Sequence, residues 1–186
     1  MPRLVLNKVN PNQSPRGPEQ INPLSGPLHF MKPPQEFKVL YLRECASTLA
    51  LLETPQQTAA YWRENIPQAV WFDPSKESFV VMVLNTRRRI LGHNLVSLGT
   101  LDSCCVHPRD VFRPAIAIAG HAIVLAHNHP SGNPEPSSAD VRVTQDLINA
   151  GKLLRIEVLD HVIIGSPSPE RHKDYASLKE LGFFNT

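Results

Sequence analysis

Long apolar runs are missing from this sequence, and with them the means to cross a bilayer as a helix. No stretch approaches the roughly 20 apolar residues that a membrane-spanning helix requires. Residues 1–12 also lack the continuous apolar segment of a secretory leader, so a cytoplasmic location is the expectation. Cysteine is scarce. Cys45, Cys104 and Cys105 are odd in number and two of them are adjacent, which gives neither a disulfide framework nor a C-x-x-C metal pair; buried or idle reduced thiols are expected. Charge is nearly balanced at a formal +2. The one dense basic cluster, Arg87-Arg88-Arg89, falls between two strand-like runs, where a solvated hairpin tip is a better account than a phosphate contact. Helix-turn-helix pattern, zinc-finger spacing and a strong basic stripe are all lacking, which leaves nucleic-acid binding a minor reading.

What is present is enough for one sizeable core and an extension: 186 residues, 41% hydrophobic. Residues 1–34 hold eight of the 18 prolines together with many Asn, Gln, Ser and Gly, a composition that reads as an extended arm. Residues 35–74 read as a small adapter. It has a possible strand at 37–42, then a helix that Thr54-Pro55 starts and that runs to about Asn65. Residues 75–186 form the main domain. A strand is expected at 79–84, a turn at 85–89 and a partner strand at 90–98. A helix at 108–119 follows, with Pro114 inside it and Gly120 as its left-handed terminator. After a buried strand at 122–126, a second helix is expected at 138–150, with Ala139, Val143, Leu147 and Ala150 as its buried stripe and Gly151 as its end. A last strand lies within 156–164, and 175–184 closes the fold. Strands interleaved with helices around one sheet make a mixed α/β sandwich.

The chemistry is concentrated where the 122–126 strand ends. His127 and His129 are two residues apart, so on a strand they share a face and can aim two imidazoles at one point. A turn-rich loop from Pro130 to Pro136 returns the chain to Ser137, where a helix begins, and Asp140 follows three residues on. Two imidazoles and one carboxylate are a common ligand set for catalytic zinc, because three protein ligands leave a fourth position for water. The plainer account of the same residues is a helix cap, with Ser137 at the N-cap and Asp140 as its reciprocal partner. His161 beside Asp160 could be a partner that orients a ligand from behind, but a histidine within an apolar strand is more often a packed core residue, and it is left outside the site, as are His93, His107 and His121; Glu135 is expected to face solvent.

The spacing His-x-His, seven residues, Ser, two residues, Asp resembles the JAMM/MPN metalloprotease motif. The words HNHPSGNPEPS, GTLDSCCVHPRDVF and VLDHVIIG are similar to the RadC branch of that superfamily, over about residues 75–184. The resemblance implies a mixed β-sheet sandwiched by helices, of the MPN/JAMM, cytidine-deaminase-like kind. It also implies one zinc ion per chain on His127, His129 and Asp140, and a peptide or protein substrate cleaved at an amide or isopeptide bond. By the same carry-over Glu77, just ahead of the 79–84 strand, is the general base, and Ser137 helps to stabilise the oxyanion. The resemblance also suggests that many relatives carry acidic residues in the second strand, where this chain has Gly92-His93-Asn94-Leu95, so a base drawn from there would be missing. A catalytically silent MPN scaffold and a DNA-repair-associated accessory protein are the alternatives.

Overall fold

A computed structural model describes residues 50–99, 106–169, 171 and 173–184. The arm at 1–34, the strand expected at 37–42 and all three cysteines lie outside the described residues. Among the described residues no helix is long and apolar enough to cross a membrane.

Helix α1 (Pro55–Asn65) starts as its sequence requires. The Thr54 hydroxyl accepts from the Gln57 N–H while the Gln57 side chain accepts from the Thr54 N–H, and Pro55 occupies a position where no helical donor is needed. Strands β1 (Glu77–Leu84) and β2 (Ile90–Gly99) form an antiparallel hairpin. Its turn is shaped by Asn85, whose carboxamide oxygen accepts from the N–H groups of Arg87 and Arg89, and the three arginines are exposed at the tip. Helix α2 (Pro108–Ala117) is capped by the His107 ring, which accepts from the Arg109 N–H. Strand β3 (Ala122–Asn128), helix α3 (Ser138–Leu154), strand β4 (Glu157–Ile164) and strand β5 (Tyr175–Ser177) complete the fold.

The sheet runs β2-β1-β3-β4-β5, with β3 and β4 parallel and the other pairs antiparallel. The fold is therefore the expected mixed sheet between helices. Alternation along β1 divides the core. Val80, Met82 and Leu84 pack with Ala59, Tyr61 and Trp62 of α1, whereas Phe79, Val81 and Val83 pack with Phe112 of α2 and Leu147 of α3.

Two glycines do work other than the expected one. The left-handed residue after α2 is Ala119, not Gly120. Gly120 comes one position later and donates back to Ala115, and a Cβ there would overlap Val83 of β1. Gly151 does not end α3. The helix continues to Leu154 and closes on left-handed Arg155, while position 151 is glycine because a Cβ would meet the Ile156 carbonyl at 2.6 Å. The longer helix also buries Asp140, Val143, Thr144, Leu147 and Ile148, leaving Ala139 and Ala150 half-buried at the margin of the expected stripe.

Candidate metal centre

The site forms where β3 runs out. Seven consecutive buried residues carry the strand into the core, and His127 near its end is fully enclosed, its ring stacked at 5.9 Å on Phe79 across the sheet. His129 lies just past the strand, still tied to β4 by donation from its N–H to the Ile164 carbonyl. Its side chain is 14% exposed. Asp140 comes from the first turn of α3 and is buried. His127, His129 and Asp140 each offer a ligand atom at one point. The two Nε2 atoms are 3.0 Å apart, and His127 Nε2 is 3.2 Å from Asp140 Oδ1.

These separations, with the 3.6 Å between His129 Nε2 and Asp140 Oδ2, are ones that could hold a metal ion. A tetrahedral ion with metal–nitrogen bonds of about 2.0 Å spaces its ligand atoms by about 3.3 Å. The outward nitrogens are already committed: His129 Nδ1 lies 2.7 Å from the Asn133 carbonyl, which can only accept, so that nitrogen carries its proton and leaves Nε2 for the centre. Asp140 is fixed in the same way. Its Oδ2 accepts from the Ser137 N–H at 2.7 Å and from the Ser137 hydroxyl at 2.6 Å, while Oδ1 faces His127. Ser137 thus caps α3 and orients the carboxylate with one geometry, so Asp140 serves the cap and the candidate metal group together.

Electrostatics separates the two imidazoles. Burial pushes the His127 pKa down, against the pull of Asp140. His129 is raised, chiefly by its hydrogen bond to Asp140. Burial alone would raise the Asp140 carboxyl, but the neighbouring His127 and His129 and the hydrogen bonds from Ser137 hold it far below the usual carboxylate range. Glu77 is the first residue of β1, half-buried, two residues before Phe79, which pairs with His127; alternation puts it on the same face of the sheet. Its charge acts on both imidazoles in the same sense as that of Asp140.

A match to the model of the RadC-like JAB domain covers residues 52–183. The chain belongs to the RadC-like JAB domain family. Among curated relatives it is 43% identical over 127 residues to a UPF0758 protein of Chlorobaculum parvum, covering 68% of this chain and 55% of that protein. A UPF0758 protein of Methanosarcina mazei is 43% identical over 111 residues, 60% of this chain and 46% of its own length. One from Alkaliphilus metalliredigens is 50% identical over 105 residues, 56% and 43%. The chain spans about half the length of the curated relatives it matches.

Three further residues bear on the site that the sequence did not single out for it. His161, set aside as a core residue, is fully buried, but its Nε2 lies 2.8 Å from His127 Nδ1 and its Nδ1 lies 2.6 Å from the Thr144 hydroxyl. Asn128, between the two histidines, points to the other side. Its carboxamide accepts from the Ser78 N–H at 2.9 Å and donates to the Lys76 carbonyl at 3.0 Å, holding the main chain on both sides of Glu77. Arg171 donates to the Gly132 and Ser166 carbonyls at 2.8 and 3.1 Å, bracing the loop that carries Asn133. Of the other histidines set aside, His93 is hydrogen-bonded to the Tyr61 hydroxyl, whereas His107 and His121 are exposed rather than packed in the core.

Proposed function

We propose that this chain is a zinc-dependent hydrolase of the JAMM/MPN class that cleaves a peptide or isopeptide amide bond. The observation that carries the reading is the convergence of two imidazole nitrogens and one carboxylate oxygen at ligand spacing, with their outward atoms already hydrogen-bonded. Two nitrogens and an oxygen suit zinc better than magnesium or calcium, which favour all-oxygen cages. When bound, zinc acidifies water towards neutrality and polarises a carbonyl oxygen.

The chain's own residues supply the rest. His127, His129 and Asp140 would hold the ion. Glu77, on their face of the sheet, is the carboxylate that would accept a proton from water and return it to the leaving amine. Ser137 would donate a hydrogen bond from its hydroxyl to the oxyanion, which requires releasing the Oδ2 of Asp140. Elemental analysis of protein purified without chelator should give one zinc per chain, and substrate trapping should capture a protein hydrolysed by the parent. Absence of stoichiometric metal, with unchanged metal content in His127→Ala, would sink the reading.

A further inference from the structure

The hydrogen bonds behind His127 have only one consistent direction. Thr144 Oγ1 lies 2.6 Å from the Asp140 carbonyl oxygen. Two oxygens that close repel unless a proton lies between them, so the hydroxyl donates to Asp140. Its only proton is then used. The contact of 2.6 Å between Thr144 Oγ1 and His161 Nδ1 must be donation from the ring, which puts the proton of a neutral His161 on Nδ1 and leaves Nε2 bare. Full burial against Phe79, whose ring meets that of His161 edge-on at 5.3 Å, keeps the imidazole neutral. The bare Nε2 therefore accepts from His127 Nδ1–H at 2.8 Å, which leaves the lone pair of a neutral His127 on its Nε2.

We propose that His161, directed by Thr144, is a positioning residue that fixes His127 in its Nδ1–H form, with the Nε2 lone pair held ready for a metal ion. The chain of bonds leaves one ligand, crosses β4 and α3, and ends on the main chain of another, since the carbonyl that receives the Thr144 proton belongs to Asp140. It sets the His127 ring and the first turn of α3 against each other before any metal arrives. Asp160, next in the chain, takes no part: its carboxylate accepts from the Ser177 hydroxyl and from the main-chain N–H of His161. The inference rests on the metal-site reading for its consequence, but not for the tautomer.

The test has two arms, both on the whole 186-residue chain. In the first, nitrogen-15 NMR of metal-free protein reads the histidine tautomers. His127 should be protonated on Nδ1 in the parent and lose that preference in Thr144→Val, which keeps the branched shape without the hydroxyl. A parent with the proton on Nε2 of His127 overturns the proposal. In the second arm, zinc itself is titrated against a chromogenic chelator. His161→Phe keeps a ring but no acceptor and should weaken zinc binding by roughly 10- to 100-fold, the usual effect of removing a partner that orients a ligand. His161→Gln, which retains an acceptor, should recover most of that loss. Parental zinc affinity in a folded His161→Phe protein overturns the proposal. If His161→Phe does not fold, Thr144→Val decides by the same two readouts. If the parent takes up no zinc, the proposed function falls, and the tautomer of His127 still decides the relay.

Discussion

His127 and His129 carry the same ring and face the same carboxylate, but the protein holds them by different means. His127 belongs to a strand. It is enclosed, stacked on Phe79 and bonded through His161 to helix α3, so its surroundings are the core itself. His129 belongs to the loop that follows, partly exposed, its outer nitrogen held by the Asn133 carbonyl. The electrostatics follow the construction: burial dominates at His127 and lowers its proton affinity, whereas the Asp140 hydrogen bond dominates at His129 and raises it. One half of the centre is built into the core, and the other is added at its rim.

The sharpest way to break that comparison is to remove each ring. Both His127→Ala and His129→Ala should lose stoichiometric zinc in elemental analysis. Their effects on the metal-free fold should differ. Removing His127 empties a buried volume and strips His161 of its donor, which should cost about 2–5 kcal/mol in denaturant unfolding. Removing His129 should cost no more than about 1 kcal/mol, as for a partly exposed loop residue. Equal destabilisation by the two would erase the distinction.

Next in size is Glu77, which lies beside both halves. Glu77→Gln keeps shape and hydrogen bonding while removing the basic site, so amide hydrolysis of a trapped substrate should fall by roughly 10²-fold with zinc retained. Asp140→Asn should lose the zinc. If Glu77→Gln loses metal as completely, Glu77 is a ligand and its assignment as base is wrong.

The two halves were also unequally legible. The rim could be read from the chain: a His-x-His pair at the end of an apolar run, a turn-rich loop, then Ser137 and Asp140 at cap spacing. The hairpin and the start of α1 were equally plain, because Thr54-Pro55 and Asn85 act locally. The partner behind His127 was not. Along β3 and β4, Ile123 pairs with Val158 but Leu125 with His161, so two steps on β3 oppose three on β4. That shift turns His161 towards α3, onto the side of Val158, where strict alternation would have put Asp160. The helix ends failed for a related reason: Gly120 and Gly151 answer to Val83 and to the Ile156 carbonyl, contacts that no local pattern records.

A smaller effect should appear in the pH dependence of the metal-free protein. The pKa values of His93, His127 and His161 are all lowered by burial. The unfolded chain binds protons at these positions below about pH 6.5 that the folded protein refuses, so each lowers stability as pH falls through that value. His129 has the opposite sign. Its pKa is raised in the fold, so its contribution is full below about pH 6.5 and fades as pH rises through the higher folded value. Asp140, held low, contributes a constant amount throughout this range, since its contribution is lost only in strong acid. Net stability should therefore decline on acidification, and His129→Gln should fall below the parent in acid and approach it in alkali. A gap that widens with rising pH would reverse the assignment.

The smallest expected effect tests whether the rim is braced at all. Arg171 donates to the Gly132 and Ser166 carbonyls, and Gly132 O also accepts from the Ser166 N–H, so the loop keeps one tie when the guanidinium is removed. Arg171→Met should therefore release the loop only in part. A net hydrogen bond is worth about 1 kcal/mol, which corresponds to a weakening of zinc binding by roughly fivefold. Hydrogen exchange locates the effect more decisively than affinity does. The N–H of Gly132, which donates to the His129 carbonyl, and that of Ser166 should exchange faster in the variant, while the β3 amides from Ile123 to Ala126 should keep parental protection. Faster exchange in β3 as well would mean that the loop and the strand open together, and that His129 is as much a part of the core as His127.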